Sequence, residues 1–383
     1  MRSTAVAVFG VNPLRIGGAE IYTRELARQL EARRARLVAV FSHLPQGNVA
    51  RFLSAPNLTV EAIPELETST RASLAPLASV LRRHKPSVMH LQFVGFVSGL
   101  PWLAKLHGVR QVFFTAQGSN PAGHVAQRAP AWKRFAVRAI NAPCTRVFAV
   151  SEHTRRALVD LDILPASRFE VLYNAVAPPS REGTAELGLR FRQQFDIPHD
   201  RELVTQVSWI IPEKGILQLL DAARIVLRER RAVHFAIVGT GAAEVEYRQR
   251  TEALGIARSV TWTGRLENPM EEGVYAATDV FCLASQWQEA CPWVLVEAMA
   301  FEKPAVVTAV GGIPEVIEDE VTGLLVAPPN DPAALAQQIL RLLADPELRR
   351  RMGIAGRQRV EAKFNLESNV ARLLTHYDLD GGR

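Results

Sequence analysis

Short runs of β-branched and aromatic residues alternate with longer stretches of helical period along this chain, and the alternation starts twice. That pattern specifies parallel strands covered by helices and argues against all-α and all-β architectures. In the first half the strand runs fall at 5–9, 37–41, 58–63, 88–91, 111–115, 147–150 and 170–173. Helices are expected near 18–32, 72–84, 127–140 and 152–160. After Ala177-Pro178-Pro179-Ser180-Arg181-Glu182-Gly183, a linker by composition, strands recur at 203–208, 234–238, 260–262, 280–283, 305–308 and 324–326. Between the first two of these, Ile216, Leu219, Leu220, Ala223, Val226 and Leu227 share one helix face. Asp331-Pro332 and Asp345-Pro346 each put a capping carboxylate before a proline at the first helical position. At 383 residues the chain has the length of about two domains. The expected division is α/β throughout: a first domain over 1–178, a linker over 179–200 and a second domain over 201–362. A last helix, within 363–383, is expected to pack back on the first domain. Two such halves predict a cleft between them in which a ligand would sit.

Composition narrows the function. No run of eighteen apolar residues occurs, so no transmembrane helix is expected. The apolar run at 5–11 is too short and too poorly flanked for a secretion signal. Three scattered cysteines, Cys144, Cys282 and Cys291, make neither a disulfide framework nor a zinc site and point to a reducing cytoplasm. Charge is uneven about a net +6: residues 1–178 hold 22 Lys/Arg against 10 Asp/Glu, and the remainder 23 against 29. Between Glu67 and Glu152 stand eleven bases and no acid. Such a stretch either faces something anionic, lipid or phosphate, or is a solvated basic surface. No nucleic-acid motif accompanies it, and no aromatic stacking platform interleaves the bases, so nucleic acid is not an expected partner.

Four segments can carry chemistry. Gly17 and Gly18 follow the first strand and open a helix, where bare amides can meet a phosphate; a plain βα turn has the same look. Lys214, in Ser208-Trp209-Ile210-Ile211-Pro212-Glu213-Lys214-Gly215, ends another strand and can neutralise a diphosphate, or be solvated surface. In the segment from Glu289 to Glu297, Pro292 suits a first helical turn. Two carboxylates flanking a helix start suit a sugar nucleotide, whose hydroxyls bond carboxylates and whose phosphates meet amides; one capping and one solvated glutamate is the plainer alternative. Gly311-Gly312-Ile313-Pro314-Glu315 is a further turn of this kind or an ordinary loop. His90 and His124 are read as structural. Trp102, Trp132 and Trp293 are read as core filling more than groove lining.

In this order, and with Val150-Ser-Glu-His-Thr-Arg-Arg156, Tyr173-Asn174-Ala-Val176 and Thr322-Gly-Leu-Leu-Val326 beside them, these segments resemble the retaining glycosyltransferases of family four across essentially the whole chain. That resemblance implies the GT-B fold: two Rossmann-like parallel-sheet domains facing across a cleft. It implies transfer of a hexosyl or other glycosyl group from a nucleotide-diphosphate sugar, with retained configuration and neither metal nor cofactor. Lys214 would hold the diphosphate. Glu289 would bond the donor sugar, helped by the backbone of Cys291, Pro292 and Trp293. Glu297 would bond the ribose, and Gly17 and Gly18 would border the donor phosphates. Where the family has a Gly-Arg pair this chain has Ser208 and Trp209, and where it often has a histidine, after the fifth strand, it has Gln117, which can bond a sugar hydroxyl but cannot shuttle a proton. The acceptor implied is lipid-linked or saccharide, met in the cytoplasm or at the inner face of the membrane through the basic first half. The departures leave a second reading, a catalytically impaired GT-B protein that binds nucleotide sugar or a partner. A GT-B epimerase fits the motifs less well.

Overall fold

A computed structural model describes residues 3–68, 71–121, 123–124 and 127–379. Thirteen strands appear among them. The first seven are β1 (Thr4–Phe9), β2 (Arg36–Phe41), β3 (Leu58–Ala62), β4 (Val88–Gln92), β5 (Gln111–Ala116), β6 (Cys144–Ala149) and β7 (Phe169–Val171). They form one parallel sheet in the order β3-β2-β1-β4-β5-β6-β7. The other six are β8 (Glu202–Val207), β9 (Val233–Val238), β10 (Val260–Gly264), β11 (Val280–Leu283), β12 (Ala305–Thr308) and β13 (Gly323–Val326). They form a second parallel sheet, ordered β10-β9-β8-β11-β12-β13.

Buried on both faces, these strands are near-continuous apolar runs, as parallel strands under helices must be. In each sheet the winding reverses once, between β1 and β4 and between β8 and β11. Loops leaving the carboxyl ends of those neighbouring strands diverge to opposite faces and open a crevice, the usual ligand position in such sheets.

The chain divides into two compact units. Among the described residues the first takes 3–118, 127–173 and 366–379, and the second takes 119–124 and 174–365. Residues 184–194, inside the stretch read as linker, form the helix Thr184–Gln194, which seats Phe191 in the second unit. Arg192 of that helix fixes it by binding the Asp279 carboxylate at 3.1 Å.

The final helix, Leu366–Leu374, belongs to the first unit. It buries Leu366, Val370, Leu373 and Leu374, and Asn369 donates to the Tyr173 carbonyl at 2.9 Å. Beyond it Tyr377 stacks on Phe113, with ring centroids 5.1 Å apart, and its hydroxyl meets His90 Nδ1 at 2.7 Å. Burial holds the His90 pKa down to about 3, so the imidazole is neutral.

Trp102 and Trp132 correct the sequence reading. Both are exposed, at 48% and 68%, and neither fills the core. No helix among the described residues is long and apolar enough to cross a membrane.

Candidate active site at the carboxyl edge of the second sheet

Two loops leave the second sheet where its winding reverses. One follows β8 through Ser208 and Trp209 to a single 3-10 turn over Pro212–Lys214, and the other follows β11 from Ala284 to Glu289. They are drawn together by backbone that only glycine can supply. Gly215 has φ +65°, and a Cβ there would lie 1.8 Å from the Ala284 carbonyl oxygen. Buried Gln206 staples the same pair of loops: its Nε2 donates to the Lys214 carbonyl at 2.8 Å, and its Oε1 accepts from the Ala284 amide at 3.3 Å. The Gln286 amide adds a bond to the Glu213 carbonyl at 2.8 Å.

The result is a charged pair. Lys214 Nζ donates to Glu289 Oε1 at 2.5 Å, and Ser285 Oγ donates to the same oxygen at 2.6 Å. Thr308, at the end of β12, holds the Ser285 carbonyl at 2.6 Å. Glu289 is only 6% exposed, so its charge depends on these partners. Both bonds fall on Oε1, which leaves Oε2 able to accept from a ligand hydroxyl. The main chain of Glu289 is pinned as well. Its carbonyl accepts from the Gly312 amide at 2.7 Å, and Gly311, at φ +58°, lies so close that a Cβ would be 2.2 Å from that carbonyl. Asn120 and Gln288 pair through their backbones on the preceding side, at 2.7 and 3.1 Å.

Beyond Glu289 the buried Cys291 carbonyl accepts from Asn174 Nδ2 at 2.7 Å, and burial pushes the Cys291 thiol up to about 12, which makes it a poor nucleophile. Pro292 begins the helix Trp293–Ala300, whose start has no side-chain cap. Glu297, one turn in, is buried, and Tyr275 donates its hydroxyl to the carboxylate. Ser208 accepts from Gln206 Nε2 at 3.2 Å, and Trp209 is 52% exposed beside it. The structure therefore joins Lys214 to Glu289 and seats Glu297 against Tyr275.

Gly17, Gly18 and Gln117 lie at the carboxyl edge of the first sheet. Gly17 caps the helix Gly18–Ala32, but its amide donates to Glu20 Oε2 at 3.0 Å. The amide is thus engaged by a carboxylate of its own helix, and burial raises the pKa of Glu20. Gln117 Nε2 donates to Gln92 Oε1 at 3.1 Å. Sequence reasoning missed Gln206, Ser285, Thr308 and Tyr275. Gln206 left one visible signal, a lone amide side chain inside an apolar strand.

Two family models match the chain. "Glycosyl transferases group 1" covers residues 189–359, and "Glycosyltransferase Family 4" covers 16–178. Among curated relatives, the alpha-D-kanosaminyltransferase of Streptomyces kanamyceticus is 27% identical over 71% of this chain and 69% of its own length. A GDP-mannose-dependent alpha-(1-6)-phosphatidylinositol monomannoside mannosyltransferase of Mycobacterium tuberculosis is 26% identical over 94% of each. The crystal structure of Anabaena HepE in complex with UDP superposes with a TM-score of 0.74 at 19% identity, covering 98% of this chain and 100% of that one, a likeness of fold.

Proposed function

Because the chain belongs to the family-4 glycosyltransferases and has their two parallel-sheet GT-B units, we propose that it moves a sugar from a nucleotide-diphosphate donor to a lipid-linked or saccharide hydroxyl, with retained anomeric configuration. The observation that carries this reading is the Lys214–Glu289 pair at the reversal point of the second sheet. Glu289 Oε2 accepts from hydroxyls of the donor sugar and orients it. Lys214 moves its charge onto the diphosphate as the glycosidic bond breaks, and the uncapped start of the helix Trp293–Ala300 adds its dipole. Such preorganised donors are worth ~3–4 kcal/mol each in the transition state. A leaving phosphate oxygen takes the acceptor proton on the same face, so no side-chain base is required. Glu297 holds the ribose, with Tyr275 setting its rotamer. The charge on the leaving group is met by the protein itself, and no metal ion is assigned a role.

Release of nucleoside diphosphate from a panel of sugar nucleotides tests the reading, together with thermal shift of the free protein by each donor. Glu289→Gln is expected to lose about 10²-fold or more in turnover while keeping its fold, and wild-type turnover by that variant overturns the assignment. The exposed Trp209, standing where the family carries an arginine, favours one other reading, a donor-binding protein without transfer. A donor that raises the melting temperature but is never consumed, with any acceptor, would establish it.

A further inference from the structure

The helix Ala131–Asn141 is attached to the first unit by one side only. Asn141 is buried, and Val137 packs against the core beneath the sheet. The opposite stripe, Trp132, Phe135, Ala136 and Ala139, faces outward, with Trp132 68% and Phe135 74% exposed. Exposed Trp102 extends the stripe, its Nε1 donating to the Ala139 carbonyl at 2.9 Å. A helix that serves only a core turns its large aromatics inward, and here two point away from it.

The surroundings of the stripe say what could cover it. Lys133 lies over the Trp132 ring at 5.3 Å, and Lys105 and Arg128 are exposed nearby in sequence and fold. Arg134 and Arg138 share a single carboxylate, Asp162, so that pairing leaves one positive charge over. The acids on the adjoining segment are Asp160 and Asp162, and residues 68–151 contribute none.

We propose that this helix docks the first unit on a bilayer surface containing acidic lipids. Trp132 and Phe135 enter the headgroup boundary while Lys133, Arg128 and Lys105 meet phosphates. Charge complementarity selects this occupant: an aromatic stripe with a basic fringe fits an anionic interface, and a neutral protein surface would leave the cations unmatched. The proposal deepens the transferase reading by specifying where a lipid-linked acceptor is met. It rests on that reading for its purpose only, because vesicle binding is measured without turnover.

Sedimentation of the full chain with phosphatidylcholine vesicles, with and without phosphatidylglycerol, is the test. Binding is expected with the acidic lipid, weakening as salt is raised. Trp132→Ser with Phe135→Ser is expected to lower it about tenfold or more, and Lys133→Glu with Arg128→Glu to abolish its dependence on acidic lipid. All four positions are exposed, so circular dichroism and the melting temperature should be unchanged. Brominated lipid should quench wild-type fluorescence more than that of Trp132→Phe. Equal binding to neutral vesicles overturns the proposal, as does binding untouched by the aromatic variant. A dimer that the aromatic variant makes monomeric, with no vesicle binding, assigns the stripe to a second copy of this chain and overturns it too.

Discussion

The carboxyl edges of the two sheets share one topology and differ in chemistry. At the second, a buried lysine and glutamate face each other, and that glutamate retains an unused oxygen. At the first, the polar groups satisfy each other in nearly neutral form: Gln117 on Gln92, the Gly17 amide on Glu20, and a neutral His90 between Thr115 and Tyr377. The contrast teaches that a reversal of winding supplies a crevice, and side chains alone decide whether it handles charge. An edge carrying mobile charge suits a leaving diphosphate. An edge of amides and hydroxyls suits uncharged hydroxyl groups, at the scale of ordinary hydrogen bonds.

The largest test of this contrast is Lys214→Ala, with an expected fall in turnover of about 10²–10³. It leaves Glu289 buried with Ser285 alone, so kinetics should be run well below a lowered melting point. If donor binding weakens while turnover is retained, the second edge is not where charge is stabilised. Gly311→Ala comes next. Its methyl would strike the Glu289 carbonyl and its φ is unfavourable, so displacement of that loop should cost up to about 10² in kcat without touching a charged group. Normal turnover in that variant would show that the pair tolerates movement. Gln117→Ala should be milder, about fivefold, and should fall on the KM of the acceptor rather than the donor. A large fall in kcat there would erase the distinction between the two edges.

A last, smaller probe concerns stability alone. His90 titrates near 3 in the folded chain against 6.5 for the free side chain. Its neutral form therefore stabilises the fold fully above pH 6.5, and that contribution drains away as pH falls toward 3, at about 1.4 kcal/mol per pH unit. Thermal melts across that interval should slope less for His90→Gln than for wild type. Parallel slopes would mean that another group, such as His234, held near 4 by burial and then by Arg201 and Arg192, governs acid unfolding.

Most of the strand order's raw material was legible, because buried parallel strands must be apolar throughout, and the runs at 5–9, 37–41 and 234–238 advertise that directly. Helices without a contrast between their faces were not. Glu244–Ala253 is polar nearly all round, and Thr184–Gln194 lies in a stretch that reads as linker because Pro and Ser precede it. Lys214 and Glu289 could be named from their positions after strands. Their contact could not, because it depends on Gln206 and on the closeness allowed by Gly215, both products of register between strands. Glu20's claim on Gly17 was readable in principle, since a glutamate three residues after a helix cap commonly reaches back. Trp132 misled because aromatic spacing reveals which residues share a face and says nothing of where that face points.

The return of the chain's end to its beginning has a practical consequence for dissection. A fragment stopping at residue 173 would leave His90, Phe113 and Phe148 stripped of the Tyr377 and His376 rings that lie against them. Neither half can be excised with a single cut. Whoever wants the N-terminal body alone must splice 366–379 onto it through a short artificial bridge, or supply that peptide in trans.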